Sequence, residues 1–232
     1  MVNHHKEEHA RVLKHRWPSR LFHWGLVIGF LPAAITGLII WQKPGSEEFV
    51  NLAMRIHIVS AAILTISAFT FMFTGFDRIV AFFRLVLSWS RHDLEWLKIG
   101  GGYPHKILLG REVPVMPMDK LNSGQKLMGV IMLVGGAFLT ASGWLLYSFI
   151  PFFPKLFVYW VEFGHLWIGL AMTACLVGHM FLGIYNQGEF KSMFGDGTQP
   201  LSEVKHHNPL WVAHKIERVT GKTTEEPIEK GA

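Results

Sequence analysis

Four apolar runs without a single Asp, Glu, Lys or Arg dominate the chain, at residues 21–41, 56–75, 127–150 and 163–185. At about 1.5 Å per residue each reaches roughly 30 Å as a helix, the thickness of a hydrocarbon core. Backbone in lipid must satisfy its own hydrogen bonds, and these runs lack the alternating pattern of barrel strands, so they are expected to be helices. The expected fold is an all-α integral membrane protein, a four-helix transmembrane bundle over residues 21–187. Residues 1–20 form a cytoplasmic N-terminal segment and 188–232 a cytoplasmic C-terminal tail. Pro32 is expected to kink the first span. A polar leader followed by a run long enough to stay in the membrane does not fit a cleavable signal peptide.

Lys and Arg set the orientation. Residues 1–20 hold five, 76–126 hold eight and the tail from 186 holds six, against two in 42–55 and one in 151–162. By the positive-inside rule both termini and the long central segment face the cytoplasm; the expected location is a bacterial or archaeal inner membrane. The net charge of +5 is therefore a topology signal and not a nucleic-acid footprint. Residues 78–89, apolar but interrupted by two arginines, are too short to span and read as an interfacial helix or a docking element. Residues 100–120 read as an extended loop, and the tail beyond Gly221 as disordered. Trp17, Trp24, Trp41, Trp160 and Trp167 sit near span ends as interface anchors. No internal repeat is evident.

Three of the four runs carry histidine: His23 in the first, His57 in the second, His165 and His179 in the fourth. An ionisable ring inside a bilayer needs a partner to offset its desolvation. With the amino terminus inside, His23 lies near the inner surface, His57 and His165 near the outer, and His179 near the inner. Only like depths can share a metal, which pairs His57 with His165 and His23 with His179. Residues 165 and 179 are roughly 21 Å apart along a helix and about 40° short of four full turns, so they project from nearly one face. That separation suits two stacked bis-histidine haems and is far too long for one metal ion. Two axial imidazoles leave no open position on iron, which favours electron transfer over substrate binding. The only cysteine, Cys175, excludes covalent haem attachment through a Cys-x-x-Cys-His motif.

Gly169, Gly183, Ser60 and Ala61, one turn from the ligands, offer room for a porphyrin or close helix packing. Arg20, Arg55 and Lys126 are candidates for pairing with propionates or plain interface residues. His4, His5, His9, His15, His92, His105, His206, His207 and His214 lie outside the spans and read as solvated surface. A haem-free histidine-bearing metal or proton transporter is the rival from another class, but the spans lack the carboxylates of such pathways. A structural anchor with vestigial histidines is a third possibility.

The stretch Asn122-Ser123-Gly124-Gln125-Lys126 resembles the Asn-x-Gly-Gln-Lys signature of the formate dehydrogenase gamma subunit family, the dihaem cytochrome b membrane subunits. The 14-residue histidine interval is similar to that family's ligand interval. Residues 188–193 and His206-His207-Asn208-Pro209-Leu210-Trp211 look like its tail, with Asn208 inserted before the proline. The resemblance implies that His57 and His165 bind the outer haem b and His23 and His179 the inner one. It also implies a pocket for menaquinone or ubiquinone bordered by Asn122, Gly124, Gln125 and His179. Asn122 can equally serve to cap the third span, and both roles are compatible. The implied partners are an iron–sulfur electron-transfer subunit and a molybdenum or tungsten catalytic subunit, because this chain has too few cysteines for clusters and does not itself oxidise formate. The stretch between His57 and Asn122 is longer than the family pattern and is available to a cytoplasmic partner. A hydrogenase or thiosulfate/polysulfide reductase cytochrome b is the alternative of the same type.

Overall fold

The computed structural model describes residues 10–213. The expectations for His4, His5, His9, His214 and the tail beyond Gly221 fall outside these residues.

Each apolar run lies in a helix that begins several residues upstream of it and ends within two residues of the run's own end. Helix α1 spans Trp17–Gln42, α2 Glu47–Thr74, α6 Ser123–Ser148 and α7 Lys155–Tyr185. Ser46 caps α2 by accepting from the Phe49 amide at 3.3 Å, with Glu47 and Glu48 in the favourable first turn. α1 continues through Pro32 as one helix.

The chain divides into two units. One consists of Pro18–Ile79 and Val130–Leu182, and so holds most of all four long helices. Its inside is mostly small or polar: Ala33, Thr36, Ala53, Ser60 and Ser142 are buried together with Met172, whereas Ile66, Phe69, Phe73, Val134 and Val177 are exposed. That is the reverse of a water-soluble domain and fits four helices that are long and apolar enough to cross a membrane. Small residues let the helices approach. An added Cβ would lie 2.6 Å from Ser67 at Gly25, 2.6 Å from Leu64 at Gly29 and 2.4 Å from Met172 at Gly135. The Trp144 indole donates to Thr65 Oγ1 at 2.9 Å, tying α6 to α2.

The other unit gathers the chain up to Trp17, Val80–Gly129 and the chain from Gly183. Strand β1 (Arg11–Leu13) pairs antiparallel with β2 (Thr198–Pro200), Val12 opposite Gln199, a two-stranded exception in an otherwise helical chain. Helices α8 (Gln187–Phe194) and α9 (Leu201–His207) flank β2, followed by a single turn at Pro209–Trp211. Val204, Trp211 and Val212 form a small core against Val12. Lys14, 2 % exposed, bonds Glu189 and the Asn208 side chain, and Leu210 N donates to Met118 O at 3.2 Å. The two terminal segments and the central stretch are thus joined to one another.

The amphipathic stretch after α2 is helix α3 (Phe76–Leu87), and α4 (Arg91–Lys98) follows behind a capping box formed by Ser90 and Asp93. Residues 100–120 are not extended throughout. A 3-10 turn at Gly100–Gly102 leads into helix α5 (Tyr103–Leu109), with Pro104 in its first turn, and only 110–120 lack regular structure. Glycine is required at Gly101, where φ is 61° and an added Cβ would lie 2.1 Å from the Trp96 ring.

Candidate functional site

Within the membrane-helix unit, α2 brings His57 opposite His165 of α7, with ring centroids 6.2 Å apart and ring planes at 72°. His57 Nδ1 lies 2.9 Å from the Ala33 carbonyl and 3.1 Å from Thr36 Oγ1, both on α1. A carbonyl only accepts, so Nδ1 carries the proton and the lone pair is on Nε2. His165 has a parallel arrangement. Its Nδ1 lies 2.8 Å from Ser142 Oγ on α6, and that hydroxyl already donates to the Phe138 carbonyl at 2.7 Å. The serine oxygen therefore accepts from Nδ1–H, and Nε2 is again the basic atom.

Next to each hydroxyl stands a glycine. An added Cβ at Gly37 would sit 3.4 Å from His57 Cε1, and one at Gly143 would sit 3.3 Å from His165 Cε1. Thr36-Gly37 precedes His57 on the next helix of its hairpin just as Ser142-Gly143 precedes His165. The two hairpins α1–α2 and α6–α7 therefore carry one motif twice, a repeat that sequence inspection overlooked. The available signal was a hydroxyl–glycine pair 21 residues before one histidine and 23 before the other.

The second pair joins α1 to α7. His23 and His179 have ring centroids 6.3 Å apart with planes at 55°, and Trp24 meets the His23 ring edge-on at 6.5 Å. Both separations exceed van der Waals contact between rings. Two metal–imidazole bonds of about 2 Å each, with the half-width of each ring, span roughly 6 Å, so each pair is spaced to share one ion. Among the described residues no three or more His, Cys, Asp or Glu side chains gather around a common point. A bare zinc ion wants about four protein ligands, whereas a porphyrin brings its own four nitrogens and needs only two. The donor set therefore fits haem. An added Cβ at Gly136, Gly178 or Gly183 would meet no atom within 4 Å, in keeping with room at Gly183 for a flat group. Gly169 instead faces Leu139, and Ser60 is buried.

In the other unit, Asn122 and Gln125 close a reciprocal cap on α6. Gln125 N donates to Asn122 Oδ1 at 2.9 Å, and Asn122 N donates to Gln125 Oε1 at 3.0 Å. Because backbone amides can only donate, both side-chain oxygens are used by the cap and both NH₂ groups lie outside it. Such groups suit a ligand oxygen that accepts. Gly124 is pressed by Trp96, whose Cη2 would be 3.0 Å from an added Cβ.

Lys126 does not reach outward toward a propionate. Its ammonium meets Asp93 Oδ1 at 2.8 Å and the Ser88 carbonyl at 2.8 Å, and the side chain is 8 % exposed. Burial alone would raise the Asp93 pKa, but Lys126, Ser90 and Ser123 more than offset it and hold the carboxyl below its ordinary value. Arg20 is buried and Arg55 exposed. Asp93 and Trp96 were not singled out in the sequence, where they stand in an unremarkable polar stretch.

The model of a family described as prokaryotic cytochrome b561 matches residues 14–196. The chain is 23 % identical over 215 residues to the formate dehydrogenase cytochrome b556 subunit of Haemophilus influenzae, covering 89 % of this chain and 84 % of that protein. It is 25 % identical over 230 residues to the nitrate-inducible formate dehydrogenase cytochrome b556(Fdn) subunit of Escherichia coli K12, covering 93 % and 96 %.

Proposed function

The chain belongs to the prokaryotic cytochrome b561 family, and from that premise we propose that it is the dihaem membrane subunit of a formate dehydrogenase-like complex, passing electrons between iron–sulfur clusters of a partner chain and menaquinone or ubiquinone. Membership implies haem b. His57 with His165 and His23 with His179 would hold two such groups, which when bound supply reversible one-electron couples. The observation that carries this reading is the recurrence of a 6.2–6.3 Å ring-centroid separation within each of two imidazole pairs on the long apolar helices. Thr36, Ala33 and Ser142 orient the ligand rings and keep their Nε2 atoms basic, the task of outer partners in metal sites generally.

Quinone reduction takes two electrons and two protons, so its site needs hydrogen-bond donors near water. Asn122 and Gln125 offer amide N–H groups beside Gly124 at the start of a membrane helix and are our candidates for contacting the quinone. The Lys and Arg distribution supports both termini on the cytoplasmic side, and the same rule assigns α3 to the membrane surface on that side, its apolar face toward the acyl chains and its arginines toward headgroups. The names of the similar subunits support formate dehydrogenase over hydrogenase partners. Outward-facing catalytic partners with proton uptake from the cytoplasm would make turnover electrogenic.

The test is a reduced-minus-oxidised optical spectrum of the purified complex. The proposal expects a b-type band that formate reduces and a short-chain quinone reoxidises. Absence of that band, or stoichiometric zinc in its place, rejects the cytochrome reading, and a band reducible by hydrogen but not formate replaces the partners.

A further inference from the structure

We propose that Asp93, in the segment between the second and third membrane helices, is a positioning residue for quinone binding, acting through Ser123 and Lys126 on the turn that presents Asn122 and Gln125. The inference rests on the quinone-site reading above.

Helix α4 holds three of the five residues of the Asn122–Lys126 turn. Asp93 Oδ1 receives Ser123 Oγ at 3.0 Å and the Lys126 ammonium at 2.8 Å. Trp96, one turn later on the same helix, packs on Gly124. The two residues that α4 does not grip, Asn122 and Gln125, are the ones locked in the reciprocal cap with their NH₂ groups outside it. The turn is therefore gripped on one set of residues and presented on the other.

The carboxylate is saturated. Its second oxygen takes both the Ser90 amide and the Ser90 hydroxyl at 2.8 Å, which with Ser123 and Lys126 makes four donors for about four acceptor sites. Asp93 is 2 % exposed and Ser123 0 %, so neither reaches a substrate or passes a proton to one. A buried ion pair is a weak source of net stability, because desolvation offsets most of its attraction, but it is strongly directional. What it does here is hold a helix start in one place. The lengthened central segment then serves the chain's own binding turn, whatever else docks on it.

The experiment uses the whole complex, chemically reduced, with its b-type band followed by stopped flow as a short-chain quinone reoxidises it. Asp93→Asn preserves shape but removes the charge opposite Lys126. The half-saturating quinone concentration is expected to rise roughly 10–100-fold, since small misplacements of contact groups cost that much, with both haem bands retained. Asp93→Glu, which restores the charge, should recover part of the loss. Should Asp93→Asn fail to assemble, Ser123→Ala removes a single hydroxyl contact and is expected to raise the same concentration severalfold. Wild-type quinone dependence in assembled Asp93→Asn or Ser123→Ala protein, alongside a defect in Gln125→Glu, overturns the role of Asp93. Wild-type dependence in Gln125→Glu as well would instead bring down the quinone-site reading beneath it.

Discussion

Ser142 and Thr36 hold equivalent positions but not equivalent burdens. His57 keeps the Ala33 carbonyl if Thr36 is lost, whereas the described contacts of His165 Nδ1 run through Ser142 alone. Ser142→Ala should therefore weaken haem retention at the His165 pair by about 10–100-fold, while Thr36→Val leaves the His57 side largely intact. Haem content after repeated detergent washing measures this, and equal losses from the two variants would contradict it. The reciprocal cap allows a second separation. Asn122→Asp and Gln125→Glu keep the capping oxygens, so thermal stability should stay within about 0.5 kcal/mol of wild type, whereas Asn122→Ala should cost about 1 kcal/mol. Melting curves of the detergent-solubilised complex test that difference. The membrane histidines were legible in the sequence because an ionisable ring in an apolar run stands out. Thr36 and Ser142 were not, because a hydroxyl in a membrane helix ordinarily bonds its own preceding carbonyl, as both also do here.

At the scale of elements, the link between the terminal segments depends on a charge. Burial would raise the Glu189 pKa, but hydrogen bonding from His15 and the adjacent Lys14 ammonium outweigh it and bring the value down to about 2. A carboxylate with a lowered folded pKa stabilises the fold above its unfolded value of about 4.3, and that contribution fades as pH falls from there through the folded value. Proteolytic cleavage near β2 should therefore accelerate below about pH 4 in the wild type. Glu189→Gln should show little change across the same range, and identical pH profiles would contradict the assignment. Helix positions were readable from apolar length, and the meeting of rings at like depth follows from rise per residue and the reversal of direction at each turn. The β1–β2 pairing was not readable, since three-residue strands 187 positions apart carry no local signal. The Asp93–Lys126 pair was hidden for the same reason: charges in a polar segment look solvated until folding buries them.

On the scale of the whole chain, four helices supply an apolar exterior and a mostly small and polar interior, and they bring four imidazoles together in two pairs. The arrangement gives the chain a reason to carry ionisable rings within apolar spans. Each pair is proposed to hold one haem independently of the other. Haem quantification per chain, on wild type and on His57→Ala purified with adequate haem supply, tests it most directly. Two haems b are expected in the wild type and one in the variant, with the spectrum of the His23/His179 site unchanged. Two haems remaining in His57→Ala, or none in the wild type, would contradict it.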